Sequence, residues 1–157
     1  MKILITFASI GGNTMMVAQK IEELLKAHGQ AEVELVDMAE LEPATLSSYP
    51  IVFIGSSTWG DGEYNDYSQV FFDNLKAATV DLSQSRFAIF GLGETFYPVF
   101  CGAVEHMQQD LQTKQAQLLG EALKIDGFPD ENVMQSVEKW VEDIINDVNF
   151  TSSHIEK

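Results

Sequence analysis

Cysteine and histidine are scarce in this chain. The 157 residues include one cysteine, Cys101, so an intramolecular disulfide and a multi-cysteine metal or redox centre are both excluded. A lone thiol is typical of a reducing compartment, and we predict a cytoplasmic protein. The three histidines, His28, His106 and His154, lie on two predicted helices and the C-terminal tail. This scatter predicts neither a metal site nor a catalytic triad.

Long apolar runs are absent as well, and basic residues are few. No apolar stretch approaches the roughly 18 residues of a membrane span, and the short apolar N-terminus is better explained as a first strand. Nine Lys and Arg stand against 24 Asp and Glu, a formal charge of −15, and residues 27–75 contain nine acids and no Lys or Arg. Such a surface repels phosphate backbones and anionic lipids, so we expect no nucleic-acid or membrane partner, and a monomer. The acidity serves either solubility or steered docking onto a basic partner.

What the chain does contain is a regular alternation of strands and helices. The predicted strands are 3–7, 33–36, 50–55, 87–90 and one within 116–125. Helices are predicted after the first strand, from a cap at Asp66 with Val70, Phe71 and Leu75 inward, over 103–111, and from a cap at Asp130. The alternation predicts an α/β fold, a three-layer sandwich around a five-stranded parallel sheet. We predict one domain over 1–148 and a polar tail over 149–157.

Three loops follow predicted strands at the edge where such sheets bind ligands, namely 9–14, 56–66 and 92–101. In the first, Ser9-Ile10-Gly11-Gly12-Asn13-Thr14 runs directly into a helix. Glycines can turn backbone N–H groups toward an anion, and a helix N-terminus is partly positive, so this loop can hold a phosphate with neutral donors. A tight turn with a capping hydroxyl explains the loop equally well. A Walker loop and a dinucleotide fingerprint are excluded by the missing lysine and by the glycine spacing.

The other two loops carry aromatic residues. Trp59 lies between Thr58 and Gly60 in one loop, and Tyr97 lies in the other. Aromatics on exposed loops beside a phosphate cradle indicate a flat ring held between them. Gly91-Leu92-Gly93 alone is weak support for any nucleotide.

Together these segments resemble the flavodoxin family over essentially the whole chain. SIGGNT is similar to the family's phosphate loop, (S/T)-x-(S/T)-G-x-T, and Ser57-Thr58-Trp59-Gly60-Asp61 to the loop with one flavin-stacking aromatic. Gly93-Glu94-Thr95-Phe96-Tyr97, followed by Phe100-Cys101-Gly102-Ala103, resembles the loop with the other. The length resembles the short-chain class. The family's known strand order, 2-1-3-4-5, comes with the resemblance.

The resemblance implies noncovalently bound FMN and one-electron transfer between larger redox proteins, a reductase donor and an oxidoreductase acceptor. Ser9, Gly12, Asn13, Thr14, Ser57 and Thr58 would hold the phosphate, Trp59 and Tyr97 would flank the isoalloxazine, and the Gly60–Asp61 peptide would flip toward reduced N5. We expect Cys101 to be a small core residue near the flavin. The complete set of expected contacts is Ser9, Ile10, Gly11, Gly12, Asn13, Thr14, Ser57, Thr58, Trp59, Gly60, Asp61, Gly91, Gly93, Glu94, Tyr97, Phe100 and Cys101.

Two departures from the family pattern bear on this site. Gly11 stands where the family usually has a hydroxyl residue, and Glu94 where it commonly has Asp. Loss of a hydrogen bond to a charged group costs about 1.5–3 kcal/mol, so we expect reduced FMN affinity. The acidic surroundings predict a low-potential couple, because they disfavour the anionic reduced flavin.

Two alternatives stay open at the level of sequence. One is an FMN-dependent quinone or NAD(P)H reductase of the same fold, although the short loops leave little material for a substrate pocket. The other is a partner-binding module that has lost its flavin, for which Gly11 is the only indication.

Overall fold

Parallel strands and amphipathic helices alternate along the computed structural model, which describes residues 2–29, 32–59, 62–93 and 101–156, without the side chains of 59 and 149–156. The strands are β1 (Lys2–Ala8), β2 (Glu32–Asp37), β3 (Ile51–Trp59), β4 (Glu63–Tyr64), β5 (Arg86–Gly93), β6 (Gln117–Leu118) and β7 (Leu123–Asp126). The helices are α1 (Asn13–His28), α2 (Asp66–Ala77), α3 (Gly102–Gln112) and α4 (Glu131–Glu156), with short 3₁₀ turns at Met38–Glu40 and Pro43–Ser48.

The sheet has the predicted order. β2, β1, β3 and β5 pair in parallel, and β6 and β7 pair in parallel with successive parts of β5, so together they occupy the fifth position. Only β4, a two-residue strand antiparallel to the end of β3, departs from this pattern among the described residues. The α/β fold class and the order 2-1-3-4-5 are therefore confirmed.

The predicted fifth strand over 116–125 is divided in two. Gly120 lies between the halves with a left-handed φ of 59°, and the indole Nε1 of Trp140 donates to the carbonyl of Glu121 at 2.8 Å. Leu119 is buried in the same core as α4. The chain thus leaves the sheet at this point because the loop is bound to a helix distant in sequence.

Helices cover both faces of the sheet. α1 and α4 bury Val17, Ile21, Val141 and Ile144 against one face, whereas α2 and α3 bury residues such as Phe72 against the other. Alternate side chains of the central strands enter the two cores, which explains why these strands are apolar throughout.

The beginning of α2 differs from the prediction. Asn65, and not Asp66, is the N-cap, because its side chain accepts hydrogen bonds from the backbone N–H groups of Tyr67 and Ser68. Val70, predicted to face inward, is 61% exposed, and Phe72 is buried beside Phe71 and Leu75.

The other three predicted helices are confirmed, and α1 follows β1 as expected. In α3, Val104, Met107 and Leu111 are buried. At the start of α4, Asp130 Oδ1 accepts from Val133 N at 3.0 Å. The backbone of α4 continues past residue 148, and the proposed division into a domain and a tail at that residue stays a prediction.

Candidate functional site

The carboxyl ends of β1, β3 and β5, from which the three loops leave, are neighbours in the sheet. The register pairs Ala8 with Ser56 and Ser57 with Leu92, so the ends of the strands lie side by side. A small cleft of about 110 Å³ opens there, and the described residues that line it include no charged side chain: Ile10, Asn13, Thr14, Ser57, Thr58, Leu92, Gly93 and Gly127.

Two glycines shape the loop between β1 and α1. Gly11 and Gly12 have φ values of 84° and 91°, and a Cβ on either would meet nothing within 4 Å. The left-handed backbone, and not crowding, therefore favours glycine here. This conformation accounts for Gly11, the residue at which the loop departs from the family pattern.

The helix end that follows this loop is open to an anion. Gly12 is the N-cap of α1 and has no side chain to bond the first N–H groups of the helix. Ser9 Oγ accepts a long hydrogen bond, 3.4 Å, from Met15 N. The remaining N–H groups of the first turn have no partner within the helix, which is the usual anion-binding property of a helix N-terminus.

Thr14 contributes a buried hydroxyl without a partner. It is 1% exposed, and Oγ1 has no hydrogen-bond partner among the described residues. An unsatisfied buried hydroxyl costs about 1–3 kcal/mol, so it is expected to have a ligand partner in the working protein. Thr14 lines the cleft, where such a ligand would lie.

Two hydroxyl residues at the end of β3 complete the polar wall. Ser57 Oγ accepts from Asn65 Nδ2 at 2.8 Å, and Thr58 Oγ1 accepts from the N–H of Ala103 at 3.1 Å. Each hydroxyl thus keeps its own hydrogen for another acceptor. Thr58 also ties β3 to the first turn of α3.

The third loop begins and ends in close packing. A Cβ on Gly91 would lie 2.4 Å from a methyl of Val104, and one on Gly93 would lie 3.0 Å from the backbone nitrogen of Cys101. Glycine is needed at both positions because α3 lies directly against β5. Gly93 also lines the cleft, whereas contact of Gly91 with a cofactor stays a prediction.

Cys101 is a packing residue at the start of α3. It is fully buried, with a left-handed φ of 51°, and its Sγ lies 3.7 Å from the carbonyl oxygen of Gly91 and 3.6 Å from that of Ile125. Burial raises the pKa of its thiol to about 11. The expected small core residue is confirmed, and its contact with a flavin stays a prediction.

Several predicted contacts lie outside the described residues: Gly60, Asp61, Glu94, Tyr97 and Phe100. Of Trp59 the backbone alone is described, as the last residue of β3. Sequence reasoning missed three residues, Asn65, Leu92 and Gly127. The sequence did not single out Asn65 because its neighbour Asp66 is an equally good capping residue. It did not single out Gly127 because this residue follows a strand whose limits are unclear from the sequence.

Few basic side chains lie near the cleft among the described residues. On β7, next to Gly91 of β5, the Lys124 ammonium is paired with the Glu105 carboxylate. Within the described ranges, no group of three or more His, Cys, Asp or Glu is arranged to hold a metal ion. None of the helices in those ranges is long and apolar enough to cross a membrane.

Comparison with known proteins agrees with this geometry. The family pattern of flavodoxin matches residues 5–140, so the chain belongs to the flavodoxin family. It is an FMN-binding electron carrier, since the flavodoxins are a family of electron-transfer proteins.

Individual relatives cover almost the whole chain. A flavodoxin of Maridesulfovibrio salexigens is 34% identical over 147 residues, which are 92% of this chain and 99% of that protein. "Probable flavodoxin 1" of Bacillus subtilis is 37% identical over 134 residues, 84% of this chain and 83% of the relative. The crystal structure of oxidised flavodoxin 2 from Bacillus cereus superposes with a TM-score of 0.87 at 35% identity, covering 94% of this chain and 99% of the other.

Proposed function

We propose that this chain holds one FMN with its phosphate in the cleft between the first two loops, and that it is a low-potential one-electron carrier. The observation that carries the proposal is the buried hydroxyl of Thr14, which has no partner in the described part of the chain, beside the open N-terminus of α1. FMN, when bound, supplies a ring that takes up and releases electrons singly. The protein's part is to hold the phosphate, cover the ring and set its electrostatic surroundings.

The phosphate is held by neutral donors. Asn13, Thr14 and Ser57, which line the cleft, supply side-chain groups together with Ser9, whose hydroxyl lies beside the first turn of α1. The first N–H groups of α1 supply the backbone contribution. Hydrogen bonds from neutral groups to a charged oxygen are about twice as strong as those between neutral groups. A cleft without lysine or arginine can therefore retain the phosphate, and the charge of the phosphate stays uncompensated.

The flavin ring lies against the two aromatic loops in this proposal. As the family resemblance implies, Trp59 and Tyr97 would flank the ring and the Gly60–Asp61 peptide would turn toward N5, with Glu94 and Phe100 as further contacts. Support comes from Gly62 and Gly102, since a Cβ on Gly102 would lie 2.6 Å from Gly62 Cα. This close approach joins the loop that carries Trp59 to α3, the helix that follows the loop with Tyr97.

Electrostatics favour a low potential. The formal charge of −15, and the lack of a basic side chain among the described residues that line the cleft, both disfavour added negative charge on the ring. Each 1.36 kcal/mol of such destabilisation lowers a one-electron potential by about 59 mV.

Partners are recognised by charge in the same proposal. Residues 27–75 carry nine acids and no Lys or Arg, and this segment includes the end of β3 beside the cleft. A basic patch on a reductase or an acceptor would be steered to it, and the association rate would fall as salt is added. A monomer in the cytoplasm fits this role.

The test is a stepwise anaerobic reduction of the protein reconstituted with FMN, followed by visible absorption. We expect two separate one-electron steps, with a long-wavelength absorption band at half-reduction. The reduction potential of the second step should be below that of free FMN. A single two-electron step with steady NADH-driven turnover would favour a reductase. A protein that does not bind FMN would refute the proposal.

A further inference from the structure

Asn65 lies at the centre of a buried network that joins two of the three loops. It is fully buried, and its Nδ2 donates to the Ala8 carbonyl at 3.0 Å and to Ser57 Oγ at 2.8 Å. Its Oδ1 accepts from Tyr67 N and Ser68 N, both at 3.0 Å. Ala8 is the last residue of β1, directly before the phosphate loop, so one side chain contacts both sides of the cleft.

The orientation of this amide follows from its partners. Backbone N–H groups can only donate, so the atom that faces the first turn of α2 is the oxygen of the amide. The nitrogen therefore faces the strands, and its two hydrogens go to Ala8 and Ser57. A further oxygen, Ser56 Oγ, lies 3.4 Å from the same nitrogen and 2.8 Å from both the Ser57 carbonyl oxygen and Ser68 Oγ.

This orientation decides what Ser57 can do. An amide nitrogen offers hydrogens only, so Ser57 Oγ must be the acceptor in their bond. The hydroxyl hydrogen of Ser57 is then free for a different acceptor, and Ser57 lines the cleft together with Asn13 and Thr14. Asn65 thus makes Ser57 a donor toward the cleft without touching the cleft itself.

We propose that Asn65 is a positioning residue for phosphate recognition: it directs the hydroxyl hydrogen of Ser57 at the phosphate and holds the end of β1 beside it. The inference rests on the proposed function, because it needs the phosphate of FMN in this cleft. It identifies a residue that affects the binding of the phosphate and does not affect the binding of the flavin ring.

The test compares FMN with riboflavin, which has the same ring and no phosphate. Asn65→Asp keeps a good helix cap, but a carboxylate accepts hydrogen bonds, so it takes up the hydrogen of Ser57. We expect its affinity for FMN to fall about 10- to 150-fold, the factor of one hydrogen bond to a charged group, and its affinity for riboflavin to change less than about threefold.

Asn74→Asp is the matched control, since Asn74 is an exposed residue of the same helix and the charge change is equal. It should bind both flavins like the parent protein. A double-mutant cycle with Ser57→Ala tests whether Asn65 acts through Ser57. We expect Ser57→Ala to weaken FMN binding in the parent protein and to have no further effect in Asn65→Asp.

Asn65→Ser is the second variant, because serine also caps helices but is too short to reach Ser57. It should show the same selective loss for FMN, and it decides the question if Asn65→Asp does not fold. Equal losses for FMN and riboflavin, or an unchanged FMN affinity in both variants, would overturn the inference. A parent protein that binds no FMN would instead overturn the proposed function.

Discussion

Replacing Thr14 by valine should make the apoprotein more stable and should weaken its binding of FMN. Valine has nearly the shape of threonine but no hydroxyl, and Thr14 Oγ1 is a buried atom without a partner. The substitution removes a desolvation cost of about 1–3 kcal/mol, so the apoprotein should become more stable by that amount. For a domain of this size, each kcal/mol corresponds to roughly 2–4 °C in Tm.

The same substitution removes a donor to the phosphate. The loss of one hydrogen bond to a charged group is about 1.5–3 kcal/mol, which corresponds to roughly 10- to 150-fold in the dissociation constant of FMN. Urea unfolding of the apoprotein and the quenching of flavin fluorescence on binding measure the two quantities separately.

Thr6→Val is the control. Thr6, within β1, is also fully buried with a partnerless Oγ1, but it does not line the cleft. We expect it to stabilise the apoprotein to a similar extent and to leave FMN affinity unchanged. If Thr14→Val destabilises the apoprotein, or binds FMN as tightly as the parent, the interpretation of Thr14 as a phosphate ligand is wrong.

Three further predictions concern other parts of the molecule. Gly11→Ala should destabilise the apoprotein by about 1–2 kcal/mol in urea unfolding, and Gly11→Asn by less, because the left-handed φ of 84° penalises alanine more than asparagine; equal losses would contradict this. A hydrogen bond to Glu34, burial and the negative charge of that carboxylate raise the pKa of Tyr49 to about 12. The neutral phenol is therefore favoured in the folded state, and the free energy of unfolding should fall as pH rises from 10 to 12, less steeply in Tyr49→Phe; identical pH profiles would refute it. Cys101, buried and with its thiol pKa raised to about 11, should react with a thiol reagent at pH 8 far more slowly in the folded protein than in urea, and a fast reaction of the folded protein would contradict its packing role.

Local patterns were sufficient for much of the fold. Apolar runs and amphipathic periods predicted the alternation of strands and helices, because both depend on residues close in sequence. The Asp130 cap was found in the same way. The loop at Gly11 and Gly12 and the two glycines of β5 were also visible as sequence features, and the loops they mark lie side by side as expected from a parallel sheet.

Other features depend on contacts between distant residues. Asp66 and Asn65 are both suitable helix caps, and the choice of Asn65 follows from its bonds to Ala8 and Ser57, eight and more residues away. Likewise, the break in the fifth strand at Gly120 follows from the loop's contact with Trp140. No local pattern contains these partners.

The chemistry of the site likewise depends partly on the sequence and partly on contacts between distant residues. The residue types that can hold a phosphate, and the scarcity of cations around them, can be read from the chain, since they depend on composition and order alone. That the hydroxyl of Thr14 is buried without a partner, and that the hydrogen of Ser57 is free, follows only from the packing of α1 and α2 against the ends of β1 and β3. Burial and hydrogen-bond direction are properties of neighbours in space, and folding is what brings those neighbours together.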